Sequence, residues 1–328
     1  MSARVWRDTA ITEHPLVSVI MPTYNQAAFI GEAMQSVLAQ TYSELELIII
    51  DNYSSDSTRE VVASVHDPRI RYFQFANQGV IAASRNFGVR QAQGEVLAFL
   101  DSDDAWLPNK LEVQLPHLQA PNTCLVGCDF TVMGDVDRGN KLVSFAAAEE
   151  YKELAYQDLA LANPVATSSV ITRAELFRQC NGFDESTDFC FIEDWELWLR
   201  LCRTGRARLL AAPLLRYRVT RTKARDGRDV ALRSLRVLEK HCSLGYIEDQ
   251  LVRTAIANRY VEVGKACLAV NDRTGIKYYK EALRHSRGRQ NKLRSLAGLL
   301  LFMAPSWLRA RVLDHYHRKS TLLWLFRP

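Results

Sequence analysis

The sequence predicts an α/β protein, a mainly parallel sheet flanked by helices, followed by a helical C-terminal extension. Three observations carry that reading. Apolar strand-like runs alternate with amphipathic helical stretches through the first hundred residues, and such spacing calls for right-handed crossovers and a sheet covered on both faces. Each of the first four strand-like runs stops at a cluster of acids, amides or hydroxyls. From about Asp229 onward every segment reads as helix.

In order, Val17 to Met21 reads as a strand, and Ala27 to Gln40 as a helix with Phe29, Ile30, Met34, Val37 and Leu38 on one face. Leu45 to Ile50 is a second strand, followed by a helix over about 57–65, a strand over 70–75, a helix over 80–91 and a strand over 96–100. After Pro108 the pattern loosens. A helix, a strand near 123–130, a polar turn at Gly134-Asp135-Val136-Asp137 and a strand at 168–172 follow, then a helix over 192–202 and a strand-like run over 208–219. Residues 230–241, 247–270 and 275–285 close the series as helices. One poorly matched helical hairpin makes no solenoid, so this region reads as an appendage. The expected organisation is an N-terminal tail (1–14), a catalytic domain (15–227) and a helical region (228–328) ending in a basic amphipathic tail.

At 328 residues, 48% apolar and 24% charged, the chain can bury a sizeable core and is neither disordered nor collagen-like. Seven cysteines without a C-x-x-C pair make no disulfide or zinc framework. Cys124 and Cys128 then pack as small hydrophobes, and a reduced, cytoplasmic setting fits. The first fifteen residues contain no apolar stretch of signal-peptide type. The net charge of +5 is uneven: from Arg284 onward ten Lys and Arg face one acid, Asp314.

In a parallel α/β sheet, ligands bind outside the carboxyl ends of the strands. Those ends carry Pro22-Thr23-Tyr24-Asn25, Asp51-Asn52-Tyr53-Ser54-Ser55-Asp56, Asn77-Gln78-Gly79 and Asp101-Ser102-Asp103-Asp104. Together they define one polar crevice. Asn25, Ser55 or Asp56, and Asn77 are equally well explained as caps and turn residues. Asp51 and Asp101 are not, because each closes an apolar strand where a lone carboxylate is expensive. Three acids within four residues repel unless something positive lies between them. Hard oxygen ligands at a strand end suit Mg²⁺ or Mn²⁺ held jointly with a diphosphate. Neither G-x-x-x-x-G-K-[ST] nor G-x-G-x-x-G occurs, which disfavours P-loop nucleotidases and dinucleotide oxidoreductases.

The stretches VSVIMPTYNQAAFIGEAMQSVLAQTYSELELIIIDNYSSDST, NQGVIAASRNFGVRQAQGEVLAFLDSDDAWLPNKLE and NGFDES…FIEDWELWLRL resemble family 2 glycosyltransferases of the GT-A fold. The match runs from about Leu16 to Val219. The resemblance implies metal-dependent, inverting transfer of a sugar from a nucleoside diphosphate sugar, UDP-sugars favoured, to an acceptor hydroxyl. It places Pro22, Thr23, Tyr24 and Asn25 along the base, Asp51 on the base or ribose, and Arg85 and Asn86 in the nucleotide pocket, to which Asn77, at the end of the third strand, is added as a donor-binding candidate. Asp101-Ser102-Asp103 becomes the D-x-D motif, with Asp103 the direct metal ligand and Asp101 nearer the ribose. Asp104 would approach the donor sugar, Glu193 the acceptor, and Asp194 would be the catalytic base. The residues support that last role: Ile192, Trp195, Trp198, Leu199 and Leu201 form an apolar helix face, leaving Glu193 and Asp194 at the N-terminus. There the helix dipole would keep a carboxylate ionised to take the acceptor's proton. Trp106 is the candidate for stacking on a sugar.

Three departures stand out against the family pattern. Asn52-Tyr53 replaces the usual Asp-Gly, Asn181 replaces the first glycine of G-G-F-D, and Thr220 stands where many members carry a histidine. Arg218, Arg221 and Lys223 could serve the diphosphate instead, or 221–225 could be a solvated basic turn. The tail interleaves Arg309, Arg311, Arg318 and Lys319 with Trp307, Leu313, Trp324 and other apolar residues. It suits an anionic membrane surface, bringing a cytoplasmic enzyme to lipid-linked glycan acceptors on the inner membrane. Alternatively it packs on the catalytic domain or on a second subunit of a homo-oligomer. Nucleic acid is not an expected partner. Two rivals remain: a sugar-nucleotide nucleotidyltransferase, which should show a basic glycine-rich loop after strand one, and a non-catalytic scaffold, which needs no base.

Overall fold

The computed structural model describes residues 11–134, 149–219, 227–246, 249–269, 272–286 and 289–305. Its contacts divide into two units: residues 1–156 with 165–220, and residues 157–164 with 221–328.

In the first unit, β1 (Val17–Thr23), β2 (Leu45–Asp51) and β4 (Val96–Phe99) are buried at every residue, as mostly apolar strands between two layers should be, and the buried Ser18 and Glu46 hydrogen-bond each other. β3 (Ile70–Gln74) lies at the edge and is half-exposed. β1 pairs in parallel with β2 from Val17↔Leu45 to Thr23↔Asp51, and with β4 from Val17↔Val96 to Ile20↔Phe99. The sheet order β3-β2-β1-β4 means that the chain steps outward from β1 and then returns to its other side. That reversal is a switch point, where the loops at the carboxyl ends part to leave a crevice.

The helices follow the predicted positions. α1 (Ile30–Leu38) buries Ile30, Ala33, Met34 and Val37, an i, i+3, i+4, i+7 stripe. α2 (Thr58–Ala63) is short, and α3 (Ile81–Gln91) lies tight on the sheet. A Cβ at Gly88 of α3 would stand 2.5 Å from Ile50 Cδ1 and 2.8 Å from Ile20 Cγ2, so only glycine permits the approach that sets α3 beside β1 and β2.

The second half of the sheet is mixed, and here sequence and structure differ in detail. β8 (Ile171–Arg173) runs antiparallel to β4, and β6 (Thr123–Gly134) antiparallel to β8. The long β9 (Arg206–Val219) runs parallel to β6 with register shifts near Cys128 and Asp129. Two short strands line β9 at different points: β5 (Ala105–Trp106) against Leu215–Arg216, and β7 (Tyr151–Leu154) against Ala207–Leu210. The strand expected over 168–172 begins instead as a single 3-10 turn at Thr167–Ser169. α4 (Lys110–Gln119), α5 (Tyr156–Leu161), α6 (Ala174–Gln179) and α7 (Glu193–Leu201) connect these strands. Cys124 and Cys128 are buried, as small hydrophobes should be.

The second unit contains α8 (Gly227–Ser243), α9 (Asp249–Ala269), α10 (Gly275–His285) and α11 (Arg289–Met303). α9, α10 and α11 close around Tyr279: added Cβ atoms at Gly264 and Gly298 would fall 2.9 and 2.1 Å from its ring. Residues 157–164 group with this unit, an interleaving the sequence did not suggest. No described helix is long and apolar enough to cross a membrane. Thr220, Arg221, Lys223 and Arg225, the turn after Gly134 and the tail from Ser306 lie outside the described residues.

Candidate active site

β4 delivers its chain to the crevice at Asp101. Asp104 N donates to Asp101 O (3.0 Å), closing a tight turn that brings Asp101, Ser102, Asp103 and Asp104 to one place. Of these acids, Asp101 is paired with a cation of the protein. Arg85 of α3, 3% exposed, reaches Asp101 Oδ1 with Nη2 (2.8 Å) and Glu193 Oε1 with Nη1 (2.6 Å). Burial alone would weaken its charge, but Asp101 and Glu193 outweigh that and hold the guanidinium firmly protonated. Its plane also lies 5.4 Å over the Phe183 ring. Arg85 therefore couples the strand-end acids to the first acid of α7. Glu193 Oε2 is buried without a hydrogen-bond partner.

Asp194, the next residue, receives hydrogen bonds from Thr167 Oγ1 on Oδ2 (2.7 Å) and from Trp195 N on Oδ1 (2.6 Å). Its carboxyl is pushed up to about 6, first by burial and then by the adjacent Glu193 charge, with Thr167 and Arg85 pulling the other way. At the N-terminus of α7, burial and the adjacent Glu193 charge oppose the helix dipole, which favours the charged form. The carboxylate is poised near neutrality. Such a value suits a general base.

Asp104 is different. It is 1% exposed, with Oδ2 receiving Ser168 Oγ (2.6 Å) and Oδ1 receiving Arg218 N (2.8 Å). It braces the turn rather than facing a donor sugar. Ser168 Oγ also accepts Asp101 N (3.1 Å), so one hydroxyl fixes both ends of the acidic turn. Ser102 and Asp103 are 5% and 6% exposed. Arg218 Nε donates to the Asp103 carbonyl (2.8 Å), its Nη2 pairs with Glu32, and its guanidinium lies 4.5 Å over Phe29. Arg218 thus acts as a second brace and does not stand open to a diphosphate.

Trp106 is not a sugar platform. It is 2% exposed on β5, its Nε1 donates to Ser168 O (2.8 Å), and Lys110 Nζ lies 4.0 Å over its ring. The large exposed aromatics near the crevice are Tyr24 (54%), Tyr53 (58%) and Phe191 (50%). Neither Tyr53 nor Phe191 was singled out as a site residue by sequence, although both hold positive φ, 54° and 74°. Bulky residues rarely adopt that region.

The loops after β1, β2 and β3 are tied together. Asn25, at φ 51°, donates its N–H to Ser54 Oγ (2.9 Å) and accepts Ser55 N on Oδ1 (2.8 Å). Asp51 is fully buried: Oδ1 receives Ser54 N and Oγ, and Oδ2 receives Tyr72 OH. Asn52 Oδ1 accepts Asn77 N (3.0 Å), and Asn77 in turn caps Gly79 N and reaches Ser84. Asn25 and Asn77 are thus turn residues as well as site candidates. Pro22 and Thr23 are buried at the end of β1, and Thr23 Oγ1 lacks a partner. Asn86 holds the loop before α7, accepting Phe183 N and donating to Phe183 O (both 2.9 Å). A Cβ at Gly182 (φ 66°) would meet Asn86 Oδ1 at 2.6 Å, while Asn181 takes the expected positive φ of 62°. Sequence reasoning missed Thr167 and Ser168, consecutive hydroxyls that reach Asp194 and Asp104.

Residues 18–178 match the sequence model for "Glycosyl transferase family 2". The Bacillus subtilis protein TuaG, named for teichuronic acid biosynthesis, is 33% identical over 193 residues, covering 58% of this chain and 73% of that protein. The Escherichia coli protein WfgD, named as a UDP-Glc:alpha-D-GlcNAc-diphosphoundecaprenol beta-1,3-glucosyltransferase, is 28% identical over 253 residues, 76% of this chain and 93% of WfgD. A Rickettsia felis protein named as an uncharacterized glycosyltransferase is 33% identical over 202 residues; the chain spans about a third of its length, 31%. Among solved structures, S. aureus TarS 1–349 superposes with a TM-score of 0.64 at 16% identity, covering 93% of this chain and 91% of that one. The mannosyltransferase PcManGT from Pyrobaculum calidifontis gives a TM-score of 0.60 at 19% identity, with 98% and 90% covered. These structures share the GT-A fold of mixed α/β layers. The matched segment contains the acidic turn, Arg85 and the Thr167–Ser168 hydroxyls, and on these grounds the chain belongs to glycosyl transferase family 2.

Proposed function

We propose that this chain transfers a sugar, with inversion, from a nucleoside diphosphate sugar to a hydroxyl of a carbohydrate or lipid-linked glycan in surface polysaccharide assembly. The observation that carries this reading is the Arg85 bridge. One buried guanidinium ties Asp101, at the donor end of the crevice, to Glu193, beside the base candidate Asp194.

Several features support the details. UDP-sugars are favoured as donors because TarS has been solved with UDP and with UDP-GlcNAc, and WfgD is named for a UDP-Glc reaction. PcManGT, in complex with GDP-Man and Mn²⁺, keeps guanosine donors in the test. The name of WfgD describes a diphosphoundecaprenol-linked acceptor, which favours work at the cytoplasmic face of the inner membrane for this chain too.

The acidic turn fits Mg²⁺ or Mn²⁺. Asp103 and Asp101, whose carboxylate oxygens are hard ligands, are the residues that would hold it, with Asp101 Oδ1 also paired to Arg85. Two carboxylates leave coordination positions for a diphosphate. Such a cation, when bound, neutralises charge on the leaving nucleoside diphosphate. Asp194 takes the acceptor's proton as its oxygen attacks the anomeric carbon, and attack opposite the leaving group inverts the configuration. Glu193, held by Arg85, lies beside it, and its charge helps raise the Asp194 carboxyl. Tyr24 and Tyr53 flank the nucleotide end.

A donor-hydrolysis screen tests this reading: UDP-, GDP- and dTDP-sugars with Mn²⁺ or Mg²⁺, an EDTA arm and Asp103→Ala. The expected result is cation-dependent release of one nucleoside diphosphate, lost in Asp103→Ala. Failure of every sugar nucleotide to bind by calorimetry, with cation present, would overturn it.

A further inference from the structure

α11 of the helical unit has two apolar faces. The inner one packs on Tyr279: Ser295 and Phe302 are 0% and 8% exposed, Gly298 touches the Tyr279 ring, and Phe302 meets it at 6.1 Å between centroids. The outer one is bare. Leu293, Leu296, Leu300 and Met303 are 66%, 48%, 67% and 83% exposed. At about 100° per residue their 3-4-3 spacing gathers them into a sector about 80° wide, on the side away from Tyr279. The stripe is about 15 Å long. Scattered exposed apolar side chains need no explanation, but three leucines and a methionine in one row on one helix do.

The charges around the stripe have one sign. Lys292 and Arg294 are exposed beside it, and the sequence from Arg284 to Pro305 contains no acid. The chain beyond Pro305 continues with Arg309, Arg311, Arg318, Lys319 and Arg327 against Asp314.

We propose that this outer face of α11 is a docking surface for an anionic lipid bilayer. Its leucines and Met303 insert at the headgroup boundary, while Lys292 and Arg294 remain level with the phosphates. A helix lying in the interface needs an apolar row bordered by cations, and α11 presents that arrangement on a scaffold already fixed from behind by Tyr279. A second copy of the chain fits less well. Self-pairing would bring the same cations together with no acid on the face to meet them. The inference is independent of the transfer chemistry, because lipid binding is read without turnover.

The experiment is co-sedimentation of the full chain with phosphatidylcholine vesicles and with phosphatidylcholine–phosphatidylglycerol vesicles, at low and high salt. Binding is expected only to the anionic vesicles and should weaken with salt. Leu293→Glu/Leu300→Glu, at positions already facing water, should lower partitioning by about tenfold or more. Lys292→Glu/Arg294→Glu should lower it by a smaller factor and remove most of the salt dependence. Circular dichroism and thermal melting of each variant verify that the chain remains folded. Three results would overturn the proposal. The first is no sedimentation of the wild type with anionic vesicles. The second is a wild-type dimer by ultracentrifugation that Leu293→Glu/Leu300→Glu splits while vesicle binding stays unchanged. The third is vesicle binding insensitive to all α11 variants but lost in Arg309→Glu/Arg311→Glu, which would move the contact to the segment after Pro305.

Discussion

Asp104 and Asp194 are two acids that follow apolar segments, and consecutive hydroxyls of one 3-10 turn touch them both. Ser168 holds Asp104 and Thr167 holds Asp194. Asp104 is sealed at 1% exposure, with a donor on each oxygen from a different part of the chain. Asp194 remains partly exposed beside Glu193, with a carboxyl raised to about 6. The difference teaches what separates a bracing carboxylate from one suited to act as the proposed base. Donors that converge from distant segments fix the first, whereas the second is left near an anion and short of direct cation contact. The Asp194 carboxyl, raised to about 6, is the one placed to exchange a proton near neutral pH in the proposed reaction.

The sharpest way to break the comparison is to neutralise each acid in turn. Asp194→Asn should lower kcat by about 10³-fold, at the scale of general base loss, while donor binding by calorimetry stays within about twofold. Its stability should move the other way. A carboxyl raised from 3.8 to about 6 on folding binds its proton more tightly in the native state, so this group's contribution falls as pH climbs through that window. Asp194→Asn removes that loss, and the variant should melt above wild type at pH 7. A variant that retains near-normal kcat would end the case for Asp194 as base.

Arg85→Met comes next. It leaves Glu193 buried without its cation and removes the link to Asp101, at a cost of about 3–4 kcal/mol of stability. Donor affinity and turnover should fall together, because the bridge serves both ends of the crevice. Asp104→Asn is milder, about 2 kcal/mol in denaturant titration, since Ser168 and the Arg218 amide lose a charged acceptor. If Asp104→Asn matched Asp194→Asn in kcat at unchanged stability, the division into brace and base would be wrong.

The contrast between the two acids also marks where the sequence was informative. β1, β2 and β4 were legible because strands buried on both faces are mostly apolar, and their polar ends announced the crevice. Asp194 was legible as the second acid of a helix whose apolar face was plain. The pairing of Arg85 with Glu193 spans 108 residues and leaves no local pattern. Trp106 misled for the same reason. An aromatic beside an acidic turn resembles a platform until a two-residue strand, paired with β9 far along the chain, buries it. Ser168 was read as the start of a strand and Thr167 was not read at all, because small hydroxyl residues before Val170-Ile171 carry no sign that they will turn as a 3-10 helix first.

The smallest predicted effect isolates the Thr167 contact. If ionised Asp194 is the base, kcat/KM should rise about tenfold per pH unit below 6 and level off above it. Thr167 Oγ1 donates to the carboxylate and so favours its charged form. Thr167→Val keeps the shape and removes that donor. The midpoint should therefore move upward by roughly half a unit to one unit, with little change on the alkaline plateau and about a threefold loss near pH 6. Ser168→Ala, one residue on, should leave the midpoint in place and lower the melting temperature instead, because its partner is the bracing acid. Equal pH profiles for the two variants would mean that Thr167 does not tune Asp194, and that the pair of hydroxyls serves the fold alone.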